Sequence, residues 1–168
     1  ELVEVAKRNN IPLLGDLQCS SQIGNVTKFN EFFLIFPTER EARIALSNQD
    51  DGIESIANSL MEKTHCRNLI VKLGAEGLIV YSKDNSSNFI HRQHFPSLSA
   101  NPVDVTGAGD SLLAAVAVGI TKGLSLIEAA ALGCCVSAVA VQRVGNTQVF
   151  PDDLSDLIQK RKSKAYGW

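Results

Sequence analysis

Residues 105–113 read VTGAGDSLL, and two chemistries compete for that stretch. Glycine costs about 1 kcal/mol relative to alanine inside a helix, so a glycine pair at a helix start calls for a reason. Small residues there let backbone N–H groups converge at the positive helix end, which suits a phosphate or a developing oxyanion. Gly107, Ala108 and Gly109 would be the donors, and Asp110 projects from the same first turn. A carboxylate beside an anion cradle repels phosphate. It makes sense as a group that orients a hydroxyl and takes its proton during attack on phosphorus. The second chemistry starts one residue later, where Ser111 within GDSL would be a nucleophile. A plainer reading is a tight turn into a helix, with Thr106 as cap and Asp110 complementing the helix dipole.

A serine nucleophile needs a base, nearly always histidine, with an acid to orient it. The histidines are His65, His91 and His94, and none follows. In the GDSL hydrolases the tag stands early in the domain and the His–Asp pair late, the reverse of the order here. That removes Ser111. No GxxxxGK[ST] occurs, so an ordinary P-loop is excluded, and GxGxxG lacks its third glycine.

Other candidates have plainer readings. Asp16 follows an apolar run, where an aspartate is more often a turn residue. His91 and His94 could pair on a metal, but no third ligand is evident. Arg143 reads equally as a helix-end cation. The four cysteines, Cys19, Cys66, Cys134 and Cys135, form no CxxC pair and no metal-finger spacing, which with no visible secretory signal indicates a reduced, cytoplasmic protein. Net charge is −2, which gives no pull toward nucleic acid or anionic membrane, and the basic run KRKSK at 160–164 reads as a solvated helix end. The apolar run SLLAAVAVGI is ten residues long, too short to span a bilayer.

These groups need a frame. Of the 168 residues, 45% are hydrophobic, enough for one sizeable core. The pattern predicts a first helix in ELVEVAKRNN with Leu2, Val5 and Ala6 inward, and strands at IPLLGD (11–16) and FFLIF (32–36). It predicts a helix over 38–46 capped by Thr38, a second begun by Asp51, and strands at 68–74 and 77–82. KDNSSN (83–88) is a turn, NFIHRQ pairs back as an edge, and helices follow at about 108–122, 125–143 and from Pro151. Wholly apolar strands alternating with helices indicate a mostly parallel sheet covered on both faces. A chain opening on Glu1, already in helical pattern, leads us to expect more polypeptide upstream.

VDVTGAGDSLLAAVAVGI, followed by an alanine-rich helix and AVQRVG, resembles the C-terminal signature of the PfkB (ribokinase-like) carbohydrate kinases. FPTERE (36–41) resembles that family's P-N-x-x-E segment, and VKLGAEG (71–77) its nucleotide-binding strand and turn. The GAGD element is the most specific of the three, and together they cover most of residues 11–150. LGCCVSAVAVQRVGNT and the overall spacing look most like the heptose-phosphate kinase domain of ADP-heptose synthases.

The resemblance implies a ribokinase-like three-layer α/β/α fold with a mostly parallel central sheet. Residues 1–168 would be its C-terminal, nucleotide-binding portion, without the N-terminal sugar-binding half and β-lid. It implies ATP-dependent phosphorylation of a sugar or sugar phosphate, with Asp110 as base and the N–H groups of Gly107, Ala108 and Gly109 as anion hole. Glu41 matches the glutamate that holds Mg²⁺, usually through water. Asp104 matches the monovalent-cation (K⁺) site, with carbonyls near Thr106, Ala140, Arg143 and Gly145 as further ligands. Lys72, Gly74 and Gly77 match the turn beside the nucleotide, and Gly133 and Cys134 fall where the adenine pocket's helix runs.

Three positions depart from the pattern: Thr38 stands where the family generally has Asn, Cys134 where the heptose kinases have Asn, and Val149 where some relatives offer Ser. The implied partners are a small sugar and ATP, with no nucleic acid and no membrane, and with room for a homodimer. The residues 1–168 by themselves are expected to bind nucleotide weakly and turn over nothing. The rival reading is a non-catalytic nucleotide-binding or scaffold module.

Overall fold

Long connections leave successive strands parallel, and short turns send the chain back beside itself. The computed structural model describes residues 2–17, 25–84, 90–99, 101–145 and 147–166. They divide into two compact units, Glu1–Pro96 and Ser97–Trp168.

The first unit holds a five-stranded sheet whose strands lie side by side in chain order. After helix α1 (Leu2–Arg8), strands β1 (Leu14–Gly15), β2 (Leu34–Ile35) and β3 (Asn68–Lys72) pair in parallel. Helices α2 (Glu39–Leu46) and α3 (Ile53–Thr64) make the crossover from β2 to β3. The link from β3 to β4 (Leu78–Lys83) is too short for a crossover, so β4, and then β5 (Ile90–Phe95), run antiparallel. The sheet is thus parallel over β1–β3 and antiparallel beyond.

Alternation along the strands decides what each face buries. Ile35, Leu69, Val71, Ile79 and Tyr81 form a core with Ala42 of α2 and Ile56, Ala57 and Leu60 of α3. Leu34, Phe36, Ile70 and Val80 alternate onto the opposite face and are equally withdrawn from solvent. The expectation of strands apolar on both faces holds for β2, β3 and β4.

The second unit is helical: α4 (Ala108–Thr121), α5 (Leu126–Ala140) and α6 (Pro151–Tyr166). Leu112, Val116 and Gly119 line the buried stripe of α4, and Ala129, Ala130 and Gly133 face it from α5. A Cβ on Gly133 would stand 2.7 Å from Leu112 Cδ1 and 2.9 Å from Val116 Cγ2, so a side chain there would hold the helices apart. Ser125 and Glu128 close a reciprocal capping box that starts α5.

Several expectations shift. Ladder pairing confines β1 and β2 to two residues each, shorter than their apolar runs. Val5 is 50% exposed, while Ala6 of α1 is buried as expected. Asp51 does not open α3, whose cap is Gly52; its carboxylate accepts from Asn48 and Ser55 and braces the approach. The helix expected to 143 ends at Ala140. Most of the KDNSSN turn and Cys19 lie outside the described residues, among which no helix is long and apolar enough to cross a membrane.

Gly133→Ala tests the close approach. Overpacking costs about 1–3 kcal/mol, and the gain in helix propensity returns about 1 kcal/mol. A lower urea midpoint is expected, and a raised one would show that α4 and α5 are not held at the distance glycine permits.

Candidate functional site

In open α/β sheets, ligands bind outside the carboxyl ends of the parallel strands. Among the charged residues at those ends in the first unit are Asp16 after β1, Glu41 in the first turn of the helix after β2, and Lys72 closing β3. The Lys72 backbone N–H donates to Pro37 O at 2.8 Å, tying the exits of β2 and β3 together. Its ammonium donates to both Asp16 oxygens, at 2.6 and 2.7 Å, in a pair whose side chains are only 17% and 14% exposed. Burial pushes the Asp16 carboxyl above its ordinary value, against the pull of Lys72, and the nearby negative charge of Glu41 pushes the same way. Asp16 is therefore no simple turn residue, as its sequence context suggested.

Thr38 caps α2 as expected, and does so within a full capping box. Its hydroxyl accepts from Glu41 N–H at 3.2 Å, and the buried Glu41 carboxylate accepts from Thr38 N–H at 2.7 Å. After β3 the chain turns through Gly74 and Gly77 and is closed by Leu73 N–H donating to Gly77 O at 2.8 Å. His91 and His94, three residues apart on a strand, point to opposite faces, and His94 Nε2 lies 3.0 Å from Glu76 O. Among the described residues no three His, Cys, Asp or Glu side chains gather as a metal cage.

In the second unit the GAGD turn departs from one expectation. Thr106 is not the cap of α4. That position belongs to Gly107, at φ 75°, a left-handed conformation that glycine adopts without strain. Ala108 N–H donates to Val105 O at 3.2 Å and Ser111 N–H to Gly107 O at 2.9 Å. Among the described residues the N–H groups of Gly107, Gly109 and Asp110 have no acceptor. Three donors are thus left open at the positive end of a fourteen-residue helix. The Asp110 side chain is exposed there, with no partner among the described residues. Sequence reasoning counted the Ala108 donor, which is engaged, and missed that of Asp110. It also missed Ser137, whose hydroxyl on α5 donates to Ala108 O at 3.2 Å and holds the turn from behind.

The residues read as a monovalent-cation site also draw together. Asp104 Oδ1 accepts from Thr106 N–H and Oδ2 from Gly145 N–H, both at 2.9 Å. Val103 and Asp104 N–H both donate to Val141 O, next to Ala140. Arg143 braces the exit of α5 through Gln148 O at 2.9 Å and Asp153. Asp153 also accepts from Phe150 N–H at the start of α6. Gly133 and Cys134 lie on α5, Gly133 in the contact with α4, and burial pushes the Cys134 thiol up to about 12.

Do these donors fit cations? Mg²⁺ keeps several waters and takes one or two carboxylates, which suits the single buried carboxylate of Glu41. Asp104 offers a carboxylate, an oxygen donor of the kind a hard cation takes, with both oxygens accepting from the backbone N–H groups of Thr106 and Gly145.

A sequence profile of pfkB family carbohydrate kinases matches residues 16–153. The bifunctional protein HldE of Pelobacter propionicus is 28% identical over 156 residues, which make up 91% of this chain and 30% of that protein. The crystal structure of ribokinase from Thermotoga maritima superimposes with a TM-score of 0.76 at 25% identity, over 94% of this chain and 52% of the ribokinase. Phosphofructokinase-2 from Escherichia coli, in complex with potassium, superimposes at 0.75 and 18% identity, over 96% of this chain and 51% of its own. The fold is ribokinase-like α/β, and the chain spans only a third to a half of the length of these relatives.

The Asp104 contacts carry a pH signature. Its two backbone donors hold its carboxyl below the ordinary value of 3.8. A depressed carboxylate stabilises the fold above that value and loses the contribution as pH falls through the lower, folded one. Urea unfolding of wild type and Asp104→Asn should therefore differ at pH 7 and converge as the pH falls below the depressed, folded-state value. A difference that persists in acid would show that the charge is not what closes the loop.

Proposed function

Since the chain belongs to the pfkB family of carbohydrate kinases, we propose that it carries the phosphoryl-transfer machinery of an ATP-dependent sugar kinase. The acceptor we propose is a hydroxyl of a sugar phosphate, of the heptose-phosphate class. The resemblance to HldE proteins along most of the chain supports that acceptor class. The observation that carries the reading is the α4 turn, where three N–H groups have no acceptor among the described residues and an exposed carboxylate stands in the same turn.

In the second unit, Gly107, Gly109 and Asp110 N–H groups stabilise charge on the transferring phosphoryl oxygens, with Ala108 in the same turn. Asp110 accepts a hydrogen bond from the acceptor hydroxyl and aligns its oxygen with phosphorus. As the O–P bond forms and the bond to the ADP oxygen breaks, the hydroxyl proton passes to Asp110. A free aspartate, with a pKa near ~3.9, is far too weak to deprotonate an alcohol beforehand. In a loose transition state the proton leaves late, and orientation matters more than basicity.

In the first unit, Lys72, Gly74 and Gly77 form the turn proposed to stand beside the nucleotide. Glu41 would hold Mg²⁺ through water, and the ion would neutralise charge on the triphosphate. Gly133 and Cys134 would back the adenine. Asp104, with carbonyls of Thr106, Ala140, Arg143 and Gly145, would hold a monovalent cation that stiffens the entry to α4. A reduced, cytoplasmic setting is part of the same reading.

The test is ATP turnover against a panel of sugars and sugar phosphates, on the complete natural polypeptide that carries this chain. Asp110→Asn should lower kcat by roughly 10²–10⁴-fold while leaving the KM for ATP within a few-fold. Equal turnover in both proteins would sink Asp110 as base. Neither wild type nor Ser111→Ala should cleave a nitrophenyl ester. Cleavage lost in the variant would revive the hydrolase.

A further inference from the structure

One peptide unit at the start of α4 faces two ways. Its N–H belongs to Gly109 and has no acceptor among the described residues. Its carbonyl belongs to Ala108 and accepts from Ser137 Oγ of α5 at 3.2 Å. The unit is trans, so its carbonyl and its N–H point in opposite directions. A regular helix gives such a carbonyl one donor, the amide four residues on, and Ser137 adds a second to the remaining lone pair. A serine inside a helix ordinarily turns back to the carbonyl four residues earlier in its own helix. Here the hydroxyl reaches the neighbouring helix instead, 29 positions away in sequence. Gly133, one turn before it on α5, permits the close approach that this reach needs.

We propose that Ser137 tunes the anion hole, by polarising the Ala108–Gly109 peptide so that the Gly109 N–H is a stronger and better-aimed donor to the transferring phosphoryl group. This rests on the reading of the α4 turn as the phosphoryl-transfer site. Hydrogen bonds through one amide reinforce each other. A donor on the oxygen draws charge across the C–N bond and leaves the N–H more positive. The support also fixes the direction of the N–H before charge develops on phosphorus, so little reorganisation is left for the reaction itself. Ser137 is a positioning residue in this account. It touches no substrate and acts only through the peptide it braces.

The test reads that peptide directly, on the complete natural polypeptide labelled with carbonyl-¹³C alanine and ¹⁵N glycine. Ala108–Gly109 is the single Ala–Gly bond in the 168 residues. An amide–carbonyl correlation spectrum therefore isolates it, and its absence from Ala108→Ser identifies it. In Ser137→Ala the Ala108 carbonyl and the Gly109 amide should both move upfield, without any turnover being needed. In kinase assays the same variant should lower kcat roughly three- to tenfold, less than the ~10²–10³-fold that follows loss of a whole donor. The KM for ATP should stay within about twofold, because the effect is made in the transition state.

Ser137→Thr keeps a hydroxyl and should regain most of both the shift and the rate. Should its extra methyl prevent folding, Ser137→Cys keeps the size with a weaker donor and should fall between serine and alanine in both readouts. A kcat that falls with the peptide signal unmoved, or a signal that moves with kcat unchanged, overturns the role of Ser137. If Asp110→Asn turns over as wild type does, the reading of the turn falls and this proposal with it. Loss of turnover in Asp110→Asn with none in Ser137→Ala overturns this proposal alone.

Discussion

Helix α5 can approach α4 closely because residue 133 has no side chain, and the second unit is organised around that approach. Leu112 and Val116 occupy the space where a Cβ of residue 133 would stand. At that separation Ser137, one turn further along α5, reaches the carbonyl of Ala108. The first turn of α4 is thereby held from behind while its N–H groups face outward. A side chain at 133 would push the helices apart and break this support before touching the turn itself. A packing constraint in the middle of two helices therefore governs the geometry of a loop at the end of one.

The same economy governs the loop before α4. Asp104 accepts from an amide two residues ahead of it and from another beyond the end of α5. One half-buried carboxylate thus ties the entry of one helix to the exit of the next. Arg143 and Asp153 extend the tie toward the start of α6. In the first unit the comparable knot is the Asp16–Lys72 pair, where parallel strands end and backbone bonds alone would leave the exits loosely joined.

Much of the fold was legible from the residues. Apolar runs marked the strands, and periodic Ile56, Ala57 and Leu60 marked a buried helix face. The Thr38 cap and Pro151 at the start of α6 are local chemistry and were readable as such. What was misread had a common cause. The extent of β1 and β2 depends on which neighbour pairs with them. Val5 is exposed where the helical spacing placed it on the inner face beside the buried Ala6. Thr106 had the right chemistry for a cap, but Asp104 draws its amide back into the loop and leaves the cap to Gly107.

Composition and spacing alone singled out the α4 turn as the candidate for the chemistry. A glycine pair at a helix start exposes backbone donors whatever surrounds it, and the absence of a later histidine disqualified Ser111. Which of those donors are unpaired, and what answers each charge, was decided by contacts between residues far apart in the chain. Asp16 meets Lys72 across 56 positions, Asp104 meets Gly145 across 41, and Ser137 meets Ala108 across 29. Local propensity carries no information about such pairs, because each forms only where packing brings two elements to the same place.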